Sequence, residues 1–184
     1  MGQVTVLLSQ LAEGRSEAFD ELYALLYPEL HRLAHARVRK SGDLTLLDTT
    51  SLVHEAYLRF EQLDMVSFRD RSQFMAYAAR VMRSIVVDAI RRRSSDRRGG
   101  GAEHVELDDG LADTVHDPRT SEVLRVHDSL EELAAVDARL VQVVEMRYFA
   151  GMTVAEIAGV LDVAERTVAR DWEKARLFLQ ASLR

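Results

Sequence analysis

The chain has 184 residues, 47% of them hydrophobic, which is enough for one medium domain or two small ones and excludes wholesale disorder. It contains no cysteine, which excludes a disulfide scaffold and a thiolate zinc site. The net charge of −6 argues at first against nucleic-acid binding, but a local excess of arginine in residues 80–98 outweighs this average.

The N-terminus lacks the basic start and long apolar run of a signal peptide. No apolar stretch reaches the roughly 20 residues that a membrane helix needs. We therefore expect a soluble cytoplasmic protein with no membrane partner.

The first hundred residues show helical rather than alternating periodicity. The apolar stripe of the second segment, which starts near Ser16, contains Pro28, which should kink that helix or start a new one. The third segment places Leu52 and Phe60 on one apolar face. The predicted helices cover residues 3–13, 16 to about 40, 50–63 and 72–93.

Residues 99–121 differ sharply from what precedes them. They begin with three consecutive glycines, carry 6 acidic residues against 1 basic residue, and contain Pro118. This composition is typical of a flexible linker. We therefore predict an all-α protein with two small helical domains, residues 1–98 and 122–184, joined by a flexible acidic linker.

The second domain should contain four helices, over about 121–134, 137–149, 153–161 and 164–183. The last two form a helix-turn-helix, with a Thr153/Glu156 capping box and Asp162 in the left-handed conformation at the turn. We expect an Arg147–Glu156 ion pair, and Trp172 and Leu177 in the core. The predicted small core of the motif is Ala155, Ile157, Ala158, Leu161, Val163 and Val168.

The second helix of this motif would enter the major groove by its N-terminal end. Its exposed polar side chains can reach phosphates and base edges. The alternative is a plain helical hairpin whose charged face is only solvated. The candidate DNA-reading residues are Arg166, Thr167, Arg170, Glu173 and Lys174.

Three segments, in this order, resemble the extracytoplasmic-function (ECF) sigma factors, a family of the sigma-70 type. DTTSLVHEAYLRF resembles the family's polymerase-docking helix. FRDRSQFMAYAARVMRSIVVDAIRRRSSDRRGGG resembles its core helix, and EMRYFAGMTVAEIAGVLDVAERTVARDWEKAR resembles its second DNA-binding domain. The matching segments span roughly residues 4–181, and three matches in the family's order are stronger evidence than any one motif.

The resemblance implies a sigma factor that carries core RNA polymerase to particular promoters. Residues 1–98 would dock on the clamp helices of the largest subunit and open the −10 element. Residues 122–184 would read the −35 element and contact the flap of the second-largest subunit, and the acidic linker would thread toward the active-site cleft. The residues expected to contact the −10 element are Phe68, Arg69, Arg71, Arg80, Arg83, Arg91 and Arg92.

The docking helix departs from the family pattern. Many members carry Asp-Ala-Glu-Asp at its start, whereas this chain has Asp48, Thr49, Thr50 and Ser51. We expect docking through Asp48, Leu52, Glu55 and Arg59, weakened by the loss of two carboxylates. Phosphorylation of Thr49, Thr50 or Ser51 would restore about two negative charges at a helix N-terminus. The alternative is that these hydroxyls only cap the helix.

Other function classes fit less well. An enzyme is not expected, because the His54-Glu55 dipeptide lacks the second histidine, four residues after the first, that a zinc-protease motif requires. His31 and His35 share a helix face, but we interpret them as exposed histidines without a metal. No cofactor is expected. Two alternatives stay open: an autonomous helix-turn-helix repressor, and an interaction module that sequesters polymerase. The regulator is also left open, between a Ser/Thr kinase and an anti-sigma factor.

Overall fold

The computed structural model describes residues 2–41, 47–62, 67–96 and 118–184, and within those ranges it contains helices and no strands. The all-α prediction is confirmed. The linker prediction for residues 99–117 lies outside the described residues. Its last part is wrong, because Pro118 already begins a helix. Proline suits that first helical position, where its missing N–H costs no hydrogen bond.

The first four helices form what we call the N-terminal group. Helix α1 (Gln3–Ala12) packs on α2 (Glu17–Ser41), which packs on α3 (Thr49–Glu61) and α4 (Arg71–Asp96). The apolar stripes of these helices meet in one core, because each stripe recurs at helical spacing. Its largest fully buried side chains include Leu22, Leu26, Leu30, Leu52, Phe74, Met82 and Ile90.

Helix α2 runs through Pro28 without interruption for 25 residues. The predicted alternative that a new helix begins at Pro28 is therefore wrong. The leucines on either side of the proline, Leu26 and Leu30, are both buried in the core, while Pro28 itself is exposed. Packing of this stripe holds the helix together where local propensity alone would favour a break.

The remaining helices form the C-terminal group. It consists of α5 (Pro118–Val136), α6 (Ala138–Val144), a π-helical segment (Glu145–Phe149), α7 (Val154–Leu161) and α8 (Glu165–Ser182). Two apolar clusters hold it together. One contains Leu130, Leu133 and Ala175, and the other joins Ile157 and Val168 of the helix-turn-helix to Val143 and Met146.

The local signals of the helix-turn-helix are confirmed. The Thr153 side chain accepts from the backbone of Glu156, and the Glu156 carboxylate accepts from the backbone of Thr153. Asp162 ends α7 with a φ of 54° and a ψ of 48°, which is the left-handed conformation. These signals succeed because each involves only a few neighbouring residues.

Three side-chain predictions in this group are corrected. Ala155 is exposed, and Leu177 is 62% exposed rather than part of the core. Arg147 does not pair with Glu156, since its guanidinium lies 5.3 Å from the Trp172 ring centroid. The Glu156 carboxylate is instead engaged at the N-terminus of its own helix.

The two groups pack against each other. Helix α4 contacts α5, the π-helical segment and α7. Phe149 and Ala150 pack against the core of the N-terminal group, and Ala76 of α4 packs against the cluster that holds the helix-turn-helix. The described residues therefore form a closed arrangement, in which one face of α4 is covered by the C-terminal group.

Candidate nucleic-acid and polymerase interfaces

Helix α8 presents a polar face to solvent. Arg166, Arg170, Glu173 and Lys174 are exposed, and Thr167 is half-buried. On the opposite side, Val168, Asp171 and Ala175 are buried. The structure therefore brings all five predicted DNA-reading residues onto the accessible side of the second helix of the motif. Glu173 also accepts a hydrogen bond from Arg176 at 2.9 Å.

Helix α8 is anchored by a charged pair at its buried side. The Asp171 side chain is 1% exposed, and its Oδ2 accepts from Arg139 Nε at 2.7 Å. The carboxylate raises the pKa of the Arg139 guanidinium, chiefly through this hydrogen bond. The pair ties α8 to α6, so the orientation of the exposed face is set by the rest of the C-terminal group.

The N-terminus of α3 is exposed and has no acidic residue in its first turn. Asp48 precedes the helix, and its Oδ1 accepts from the Ser51 backbone N–H at 2.8 Å. This backbone hydrogen bond lowers the pKa of the Asp48 carboxyl. Thr50 and Ser51 are exposed, and Thr49 is half-buried.

The rest of the predicted docking set divides into accessible and internal residues. Leu52 is 0% exposed, so the prediction that it contacts polymerase is corrected and it belongs to the core. The Arg59 guanidinium donates to Ser84 at 2.6 Å and to Asp88 at 2.8 Å, which fastens α3 to α4. Glu55 keeps 42% of its side chain exposed and lies 3.9 Å from Arg59.

Phe68 precedes α4 and joins an aromatic group. Its ring centroid lies 5.3 Å from that of Phe74, edge-on, and 5.5 Å from that of Tyr77. Phe74 is fully buried, whereas Phe68 and Tyr77 are half-buried. Phe68 thus has a packed edge and an accessible part, the combination that a stacking platform for a base requires.

The arginines predicted to contact the −10 element have different surroundings. Arg80 and Arg92 are exposed. Arg71 pairs with Glu29 of α2. The other three reach the C-terminal group: Arg69 donates to the Val160 carbonyl at 2.9 Å, Arg83 to Glu145 at 2.7 Å, and Arg91 to Asp128 at 3.3 Å.

A cleft of about 430 Å³ lies between the two groups. Phe68, Tyr77 and Arg80 line it from the N-terminal group, and Glu145, Met146 and Val160 line it from the C-terminal group. The structure therefore gathers Phe68 and Arg80 at one place, but places the C-terminal group directly opposite them.

Sequence reasoning missed Arg37 and Glu145. Arg37 is 7% exposed, and its guanidinium lies 4.2 Å from the Phe149 ring centroid. Burial, followed by the charge of Arg83, lowers the pKa of Arg37 to about 9. A signal for Arg37 was present, because it continues the stripe of Leu30 and Leu33 at helical spacing. Glu145 carries no comparable local signal.

Among the described residues, no helix has the length and hydropathy to cross a bilayer. Within the same residues, no group of three or more His, Asp or Glu side chains is placed to hold a metal ion.

A model of the ECF sigma factor family matches residues 1–184, the whole chain. This chain belongs to the ECF sigma factor family. It is therefore a sigma factor, a DNA-binding regulator that acts with RNA polymerase in transcription initiation. The resemblance found in the three sequence segments is confirmed at the level of the family.

A solved structure is similar to this ECF sigma factor over nearly the whole of its length. CnrH, solved in complex with the cytosolic domain of CnrY, shares 23% identity with it over 97% of this chain and 96% of that chain. The TM-score between the two chains is 0.39. No curated protein matches.

Proposed function

We propose that the two helix groups of this sigma factor divide the work of initiation. The N-terminal group docks on the clamp helices of the largest polymerase subunit and opens the −10 element. The C-terminal group reads the −35 element through α8 and contacts the flap of the second-largest subunit. The observation that carries this proposal is the exposed polar face of α8, held at a capped and tightly turned helix-turn-helix.

The proposed −35 contacts follow from the chemistry of that face. Arg166, Arg170 and Lys174 are exposed cations that can pair with phosphates or donate to guanine. Thr167 adds a hydroxyl and a methyl group. Glu173 would accept from a cytosine amine after releasing Arg176, so we expect it to contribute less than the arginines.

The proposed −10 surface lies on α4 and the loop before it. Phe68 supplies a stacking surface, Arg80 lines the same cleft, and Arg69 follows Phe68 directly in the chain; with Arg83 of α4 they are the proposed phosphate partners. Arg91 and Arg92 extend the basic surface along α4, and Arg71 would join it on leaving Glu29. An unstacked base needs this combination of an aromatic face and nearby cations.

We propose that polymerase docking uses the exposed N-terminus of α3, with Asp48 and Glu55 as the acidic contacts. The Asp48 carboxylate caps this helix, but the first turn itself contains no acidic residue, so a further negative charge there would still be favoured by the helix dipole. A phosphate on Thr50, or on Thr49 or Ser51, would supply that charge. His54 lies four residues after Thr50, on the same helical face, and would stabilise it.

A Thr50→Glu substitution tests this switch, with the neutral Thr50→Gln as the matched control. We expect the Glu variant to bind core RNA polymerase roughly two- to fivefold more tightly than the Gln variant, the effect of an exposed charge pair. The advantage should fall in high salt, because exposed charges are screened. Equal binding by the two variants at low salt would contradict the switch while leaving docking itself measurable.

A Ser/Thr kinase is accordingly the regulator that we favour, and an anti-sigma factor is the alternative. We place the protein in the cytoplasm, associated with the nucleoid when it is part of the holoenzyme.

A further inference from the structure

Arg83 lies at the centre of the contact between the two helix groups. Its side chain is 10% exposed, and its guanidinium donates to Glu145 Oε1 at 2.7 Å and to His127 Nδ1 at 2.6 Å. Glu131 lies 3.8 Å away. All three partners belong to the C-terminal group, so this arginine of α4 is held entirely by residues more than 40 positions away in the chain.

We propose that the closed arrangement is an intramolecular block on the −10 surface, in which Glu145 takes the place of a DNA phosphate on Arg83. A carboxylate and a phosphate are both oxyanions that an arginine binds through charge-assisted hydrogen bonds. This inference rests on the proposed role of α4 in contacting the −10 element. It adds that the free factor holds this surface shut by its own C-terminal group.

The covered surface overlaps the proposed −10 surface, of which Arg80 and Arg92 stay exposed. Arg69 is engaged by the Val160 carbonyl, and Arg91 by Asp128. The cleft that Phe68 and Arg80 line is closed on its other side by Glu145 and residues of α6 and α7. DNA therefore cannot reach Arg83 in this arrangement without displacing the C-terminal group.

The first and last residues of the π-helical segment both contact the N-terminal group. Glu145 begins the segment, and Phe149 ends it. Phe149 packs against the core of the N-terminal group beneath the guanidinium of Arg37, while Glu145 is 5% exposed. A buried charge is stable only while it is paired, so the contact depends strongly on the Arg83–Glu145 ion pair.

The block is selective. The DNA-reading face of α8 and the N-terminus of α3 both remain exposed in the closed arrangement. Polymerase docking and contact with a −35 element are thus compatible with it, whereas contact with the −10 element is not. The expected order is docking first, then separation of the groups, then opening of the −10 element.

The separation can be measured by energy transfer between dyes on the two groups. The chain has no cysteine, so Ser16→Cys and Gln180→Cys, both at exposed positions, would be the only labelling sites. In this background, Glu145→Gln should lower the transfer efficiency and raise the open population roughly tenfold or more. Glu132→Gln is the matched control, since it makes the same change of charge at an exposed position of α5 and should leave the efficiency unchanged.

The same full-length variants test whether the contact blocks DNA. The probe is a mixed-sequence single-stranded oligonucleotide of about 20 nucleotides, with affinity measured by anisotropy. Glu145→Gln should bind it roughly tenfold more tightly than wild type. Glu132→Gln, an equal change of charge at an exposed position of α5, should change it by less than twofold.

Three results would overturn the block: no loss of energy transfer in Glu145→Gln, opening without tighter DNA binding, or equal tightening in Glu132→Gln. If Glu145→Gln loses helix content by circular dichroism, Arg83→Gln replaces it in the energy-transfer measurement and should open the contact equally. Failure of the proposed function is distinguished by transcription. If this chain is not a promoter-selective sigma factor, holoenzyme made with either the wild-type chain or the Glu145→Gln variant will initiate at no promoter.

Discussion

His127 sits beside the buried guanidinium of Arg83, and its protonation state follows from that neighbour. An arginine has no acceptor, so His127 Nδ1 at 2.6 Å must be the unprotonated acceptor. Burial lowers the pKa of His127, and the charges of Arg83 and Arg91 lower it further. Glu131 and Asp128 on the same helix oppose this effect only in part.

We predict that acid weakens the contact between the helix groups. The pKa of His127 is below 6.5 in the closed arrangement, so the open form binds the proton more tightly. The stabilisation of the closed arrangement by neutral His127 is complete above the ordinary histidine pKa of about 6.5, and it is lost as the pH falls below that value. Energy transfer between the labelled groups should decrease from pH 7.5 to 5.5, and His127→Gln should remove that dependence. A flat wild-type profile over this range would refute the prediction.

At the scale of single elements, the turn of the helix-turn-helix shows how local chemistry fixes a backbone. Asp162 is the only non-glycine residue with a positive φ among the described residues. The Val163 N–H donates to the Ala158 carbonyl at 3.1 Å, which closes the end of α7. Aspartate tolerates this conformation better than most residues, and glycine adopts it without strain.

Substitutions at Asp162 should therefore separate by backbone preference. Asp162→Ala is expected to lower the free energy of unfolding by about 1 kcal/mol, and Asp162→Gly to leave it unchanged or slightly raised. Chemical denaturation monitored by circular dichroism measures both. An alanine variant as stable as the glycine variant would show that the left-handed turn is not strained.

The helices and their caps were predictable from sequence because their signals are local, as the capping box at Thr153 and the left-handed turn at Asp162 show. The predictions were wrong where contacts between residues far apart in the sequence determine the local structure. Pro28 does not end its helix, since buried leucines on both sides hold it in the core. The segment after Val144 is π-helical, and its widened turn brings Glu145 and Phe149 to the N-terminal group.

At the scale of the whole molecule, the exposed residues of α8 were predictable from the sequence, whereas the surroundings of the arginines predicted to contact the −10 element were not. Arg166 and Arg170 lie on the exposed side of a helix whose periodicity is visible in the sequence. In the sequence, Arg83 belongs to a basic helix in the same way, yet its side chain is buried in the structure. Its partner Glu145 is 62 residues away, beyond a segment that carries no pairing signal.

The closed arrangement also affects how much of the positive charge of α4 is available to bind DNA. The factor is acidic overall, at −6, although α4 is rich in arginine. Three of the predicted −10 arginines are engaged by the C-terminal group, two through Glu145 and Asp128 and one through the Val160 carbonyl. We expect this engagement to reduce the nonspecific attraction of the free chain to DNA.

The most direct test of the central claim is transcription from genomic fragments by core RNA polymerase with and without this factor, with mapped 5′ ends. We predict transcripts from a discrete set of start sites that appear only with the factor, and loss of those transcripts with Arg170→Ala. Transcripts that fall when the factor is added, together with protection of duplex DNA in the absence of polymerase, would instead indicate a repressor. A general fall in transcription with no selected start sites would indicate a protein that sequesters polymerase, and either result would contradict the account.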